Sequence, residues 1–155
     1  MEIKKIETPI KVYSYEELPE EDRALIDAAK AMTEHSYAPY SKFHVGAAIR
    51  MGNGEVVTGA NQENAAYPSG TCAERTACYY ASAQHPGERM KKIAIAAWTE
   101  GSFQGKPISP CGACRQALAE YEHLHGPMEV LLYGAECVYV LPSVASLLPL
   151  TFTEF

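Results

Sequence analysis

Two short segments concentrate the reactive side chains of this sequence: Cys72-Ala73-Glu74-Arg75 and Pro110-Cys111-Gly112-Ala113-Cys114-Arg115. Each places cysteine at the start of a predicted helix. There the unpaired backbone N–H groups and the positive end of the helix dipole lower a thiol's pKa, and the thiolate is the form that binds metal. Cys111 and Cys114 are three residues apart, so they share a helix face and can grip one ion. Cys72 supplies a third sulfur if the two helix tips converge. Three thiolates leave the fourth position of a tetrahedral zinc open, which marks a catalytic rather than a structural site. Zinc lowers the pKa of bound water from about 15.7 to about 7. Glu74, two residues after Cys72, is too close in sequence for a comfortable fourth ligand but well placed to carry a proton between water and a substrate. Arg75 follows Cys72 by three residues, shares its face, and can donate hydrogen bonds that drain charge from the sulfurs.

The Cys-x-x-Cys pair by itself also fits a redox couple or a closed structural zinc site. Cys78 is no easy fourth ligand, because six residues at about 100° each put it about 240° around the helix from Cys72. Cys78 and Cys137 read as buried packing.

These residues need a scaffold. Hydrophobic spacing predicts a helix over 16–36, with Pro19 and the acidic Glu20, Glu21 and Asp22 in its first turn. Strands are predicted over 44–51 and 55–60, joined by the hairpin signal Gly52-Asn53-Gly54. A helix over 71–83 follows, with Thr71 as its N-cap. Next come a buried strand over 92–98, a helix over 110–123, strands over 129–133 and 137–141, and a short helix over 142–148. A hairpin followed by alternating helices and strands argues for an α/β fold with one mixed sheet covered by helices, here five-stranded. Residues 1–13 read as an N-terminal extension with a short strand, and 14–155 as a single domain.

Composition narrows the setting. With 155 residues, 47% hydrophobic, the chain can form one domain with a real core, which excludes intrinsic disorder. A net charge of −6 disfavours binding to phosphate backbones, so no nucleic-acid partner is expected. No apolar run approaches the roughly 18–20 residues of a membrane span, and no signal peptide is visible, so a cytoplasmic protein away from membranes is expected. Five cysteines, an odd number, then read as ligands, catalytic groups or core fillers rather than a disulfide frame.

The spacing Cys-x-Glu followed by Pro-Cys-x-x-Cys resembles the zinc deaminases of nucleosides and nucleobases. The likeness extends through Tyr40-Ser41-Lys42-Phe43-His44-Val45-Gly46, Asn61-Gln62-Glu63-Asn64-Ala65-Ala66-Tyr67, Ser109-Pro110-Cys111-Gly112-Ala113-Cys114 and Leu147-Leu148-Pro149-Leu150-Thr151-Phe152. Together these motifs are similar to the small homotetrameric cytidine deaminases. The resemblance implies a three-layer α/β/α fold and hydrolytic deamination of cytidine and deoxycytidine in pyrimidine salvage. It implies one zinc per chain on Cys72, Cys111 and Cys114, with Glu74 as proton shuttle. It further implies that Ala73 and Cys111 fix the base through their backbones, that Phe43 packs on the pyrimidine, and that Asn61 and Glu63 bind the ribose hydroxyls. Tyr67 and Phe152 would complete a neighbouring subunit's site in a homotetramer. Deamination of another aminopyrimidine such as blasticidin S, and a catalytically silent zinc protein acting through its interfaces, are the alternatives.

Overall fold

The computed structural model describes residues 1–153. The predicted hairpin forms around Gly54, whose φ of 92° suits glycine, and joins strands His44–Met51 (β2) and Val56–Ala60 (β3). Ahead of it come Lys11–Tyr13 (β1) and the helix Glu20–Met32 (α1). After it come Ala73–Gln84 (α2), Met90–Thr99 (β4), Ser102–Phe103 (β5), Gly112–His125 (α3), Glu129–Tyr133 (β6) and Val138–Leu141 (β7). The last predicted helix is a 3-10 turn, Val144–Leu147.

One sheet runs β1-β7-β6-β4-β2-β3, with β5 paired to β4. Among the described strands β4 and β6 are the one parallel pair, because α3 carries the chain back between them. Side-chain alternation sorts the strands' two faces. Ala47, Ile49, Ile93, Ile95, Val130 and Leu132 pack with Ala77 and Cys78 of α2 and Leu118 of α3. Their neighbours Ala48, Ala94, Ala96 and Leu131 pack with Leu25, Ile26 and Ala29 of α1. The sheet is therefore a middle layer, with α1 on one side and α2 and α3 on the other.

Among the described residues the sheet has seven strands, two more than the five expected in the body of the domain. One of the two is β1, the short strand expected within the N-terminal extension; its pairing with β7 buries little, and Val12 is 61% exposed. β5 is two residues long and is folded onto β4 by Glu100 and Gly101, whose φ values of 52° and 86° make a tight hairpin turn. The predicted helix over 16–36 is also broken. Tyr15–Glu17 is a separate 3-10 turn, Leu18 and Pro19 are extended, and Thr33–His35 closes α1 as another 3-10 turn. Pro19 stands at the N-cap rather than inside the first turn, since its ψ of 148° lies outside the helix. Buried Asp22 is paired with Lys92 Nζ at 2.7 Å, which ties α1 to β4.

Gly59 sets how closely α2 approaches the sheet. A Cβ there would stand 2.5 Å from Ala77 N and 2.8 Å from Ala73 O, both helix backbone. Gly59→Ala must push α2 outward, and the expected cost is about 1–3 kcal/mol. Thermal melts should show a drop of several degrees; an unmoved melting temperature would mean that α2 can slide freely.

Candidate active site

Cysteines occupy the N-cap positions of both helices that face this end of the sheet. Cys72 precedes α2 and Cys111 precedes α3, with extended ψ values of 156° and 165°, and neither side chain bonds back to its own helix. Thr71 is not the cap that the sequence suggests. Its backbone makes two hydrogen bonds of 2.9 Å with Gln62, which lays the segment after β3 alongside the tip of α2.

The helix tips converge. The sulfurs of Cys72, Cys111 and Cys114 all lie within 4.8 Å of one another. Cys72 and Cys111 are 3.9 Å apart, and Cys111 and Cys114 are 3.4 Å apart. Sulfurs bound to one zinc at about 2.3 Å with tetrahedral angles stand about 3.8 Å apart. The donor set therefore fits zinc. Cys78 takes no part: it is buried, and desolvation pushes its thiol up to about 12.

The surrounding charges favour thiolate at the tip of α2. The Cys72 thiol is drawn down to about 5, first by its hydrogen bond with Cys114 and further by Arg75. The same contact, together with burial, raises Cys114. Arg75 Nη2 lies 3.7 Å from Cys72 Sγ, and this contact pushes the guanidinium's pKa up. Arg75→Gln removes that countercharge and is expected to weaken metal retention about 10–100-fold. Competition against a chelator measures it, and unchanged retention would show that Arg75 does not support the sulfurs.

Glu74 is only 4% exposed. Burial raises its pKa, and the neighbouring Cys72 charge adds to the effect. A carboxyl group so placed holds a proton more readily than an exposed one, as a proton carrier must.

A cleft of about 490 Å³ opens beside the cluster, a volume typical of small-molecule sites. Its lining joins Cys72 and Arg75 to Tyr40, Ser41, Asn61, Glu63 and Tyr67. Glu63 Oε2 accepts from the amides of Tyr40 (2.9 Å) and Ser41 (3.2 Å). The Ser41 hydroxyl and these amides hold the Glu63 carboxyl below its usual range, so it stays ionised. Asn61 Oδ1 accepts from Val45 N at 2.8 Å, and its Nδ2 donates to Phe43 O at 2.9 Å. Each Asn61 side-chain atom keeps capacity for one more hydrogen bond.

The remaining predicted residues fall differently. Ala73 is fully buried as the first residue of α2. Phe43 is half-buried and, among the described residues, is not part of the cleft lining; its carbonyl reaches the site through Asn61. Tyr67 is 77% exposed and meets Tyr40 edge-on, with ring centroids 6.2 Å apart. Phe152 is 67% exposed, and its carbonyl accepts from Gln116 Nε2 at 2.6 Å. Arg115 bonds backbone within the chain. It donates to Pro110 O and Leu147 O, each at 2.8 Å, and so locks the loop before Cys111 to the chain's C-terminal turn. Tyr40 and Ser41 also line the cleft; the motif that begins at Tyr40 pointed to this segment, but to Phe43 within it.

The model of the cytidine and deoxycytidylate deaminase zinc-binding region matches residues 19–125. A cytidine deaminase of Sporosarcina psychrophila is 42% identical over 130 residues, covering 84% of this chain and 90% of that protein. A probable cytidine deaminase of Dictyostelium discoideum is 37% identical over 136 residues, covering 87% of this chain and 86% of that one. Among solved structures, the cytidine deaminase of Burkholderia pseudomallei superposes with a TM-score of 0.70 at 46% identity, covering 83% of this chain and 97% of that one. The cytidine deaminase of Mycobacterium tuberculosis superposes at 0.66 and 30% identity, covering 84% and 96%.

Proposed function

The chain belongs to the cytidine and deoxycytidylate deaminase zinc-binding family, and on that premise we propose that it hydrolyses cytidine and deoxycytidine to uridine and deoxyuridine with release of ammonia. The observation that carries this reading is the meeting of three sulfurs, buried Glu74 and a small-molecule cleft at two helix tips. Cys72, Cys111 and Cys114 would hold one zinc, which when bound supplies the Lewis acidity that makes water a nucleophile near pH 7. Glu74 takes the proton from the attacking water and delivers it to N3 of the pyrimidine. It then takes the proton of the hydroxyl newly attached to C4 and passes it to the amino group, as the C4 carbonyl forms and the bond from C4 to nitrogen breaks. Arg75 tempers the charge of Cys72. The backbones of Ala73 and Cys111 orient the base, with Phe43 packing on the ring.

Asn61 and Glu63 take the sugar hydroxyls. Support for a nucleoside rather than a nucleotide comes from Glu63: an ionised carboxylate in the cleft accepts from a hydroxyl and repels a 5′-phosphate. A competition assay tests this. Cytidine and deoxycytidine should outcompete deoxycytidine monophosphate and blasticidin S by a wide margin in kcat/KM; preference for either of the last two would overturn the substrate assignment.

In this reading residues 14–155 act as one catalytic domain, extended by 1–13. Four such chains assemble as a homotetramer, in which Tyr67 and Phe152 reach a neighbour's site. Their exposure on the single chain supports that role. Pyrimidine salvage in the cytoplasm is the setting proposed. No helix among the described residues is long and apolar enough to cross a membrane.

A further inference from the structure

The cleft loop, residues 37–43, is fastened at its base by a pair that the chemistry above does not use. Ser36, just before the loop, and His44, the first residue of β2, bring Ser36 Oγ and His44 Nδ1 to 2.5 Å, half-buried. His44 is fixed from the other side. It lies opposite Trp98 of β4 in the strand register, and the two rings meet edge-on with centroids 5.5 Å apart. The imidazole is therefore held in place by the centre of the sheet while it grips the loop.

The loop needs this grip. Lys42 has a φ of 58°, a conformation that a non-glycine residue keeps only when its surroundings impose it. Thr99 Oγ1, next to Trp98, bonds Lys42 O at 3.0 Å and holds the same turn. On the inner side, Glu63 and Asn61 bond the backbone of Tyr40, Ser41 and Phe43. Tyr37, the first loop residue, is tied separately to the segment after β3, donating to Asn61 O (3.0 Å) and accepting from Glu63 N (2.8 Å). Loss of the Ser36–His44 pair would therefore loosen the far side of the loop, and with it the amides that aim the Glu63 carboxylate. Glu74 and the three sulfurs stand on α2 and α3, outside the loop, and would stay in place.

We propose that Ser36 and His44 are positioning residues for substrate binding: their hydrogen bond, braced by Trp98, closes the base of the loop that presents Tyr40, Ser41 and Glu63 to the nucleoside. This rests on the cytidine reading for its kinetic consequence, but the loop's order can be read without any substrate. The experiment compares Ser36→Ala, His44→Leu, the double variant and His44→Asn, whose amide can supply a hydrogen-bonding atom near the place of Nδ1. Each single disruption should raise KM for cytidine about tenfold, the weight of one lost hydrogen bond, with kcat and zinc content little changed. The double variant should be no worse than either single one, because both remove the same bond. His44→Asn should restore most of the affinity. Hydrogen exchange of the amides over 40–43 should quicken about tenfold in Ser36→Ala and His44→Leu. Unchanged exchange and KM in Ser36→Ala, or additive effects in the double variant, would overturn the proposal. If the unaltered protein does not turn over cytidine, the substrate reading fails, and the exchange rates alone decide whether the base is closed by this pair.

Discussion

Replacing Glu74 by Gln should leave a folded protein that binds zinc normally and has lost nearly all turnover. The two side chains have the same shape, so the amide can fill the buried space behind Cys72 with no cavity. What is lost is the ability to take a proton from water and give it up at the base, a role worth about 10²–10⁴-fold in rate. No other carboxylate among the described residues can stand in. Glu63, the carboxylate that lines the cleft, is held ionised by Ser41 and the amide of Tyr40, so it is a poor proton donor. Steady-state rates on protein with its metal content measured decide the matter. Activity within tenfold of the unaltered enzyme at equal zinc would remove Glu74 from the mechanism.

The second large effect is expected at Cys114. Cys114→Ser exchanges a sulfur that can become thiolate for a hydroxyl that stays protonated at any working pH. Cys114 is fully buried between the helix tips, 3.4 Å from Cys111, so no other donor can move into its place without unwinding the start of α3. Zinc per chain should fall to a small fraction of one, and deamination with it. Stability gives an independent reading. A metal that binds only the folded protein stabilises it in proportion to the logarithm of its concentration. Added zinc should therefore raise the melting temperature of the unaltered chain and leave the variant's unchanged. Full zinc occupancy in Cys114→Ser would mean that the three sulfurs are not the binding site.

The site's chemistry was legible because it depends on short spacings. Cys111 and Cys114 must share a helix face at an interval of three, and Glu74 must follow Cys72 closely whatever surrounds it. The same holds for the hairpin, which Gly52-Asn53-Gly54 announces locally. What stayed hidden depends on distant pairing. The place of β1 at the sheet edge is set by β7, and β5 exists only because two residues with positive φ fold the chain back on β4. Two residues are too few to leave a periodic trace. The break at Leu18 and Pro19 was obscured because helical spacing continues across it.

Within the site, the family resemblance implied that Asn61 and Glu63 face a ligand, but nothing local shows that each first organises backbone. Glu63 gathers the amides of Tyr40 and Ser41, and Asn61 bridges Phe43 to Val45, so both build the cleft that they line. Arg115 reads as a surface cation until its carbonyl partners, Pro110 and Leu147, are known. The pattern is consistent: residue chemistry is local, whereas backbone partners are set by the fold.

In the proposed reaction three converging sulfurs and Glu74 form a zinc site that deaminates cytidine. One assay of purified protein tests it most directly: the fall of the cytidine absorbance band, with and without a chelator, alongside zinc measured per chain. Rapid conversion with about one zinc per chain, abolished when the metal is stripped and restored when zinc returns, is the predicted result. Conversion that persists at full rate in metal-free protein, or bound zinc with cytidine untouched, would contradict it.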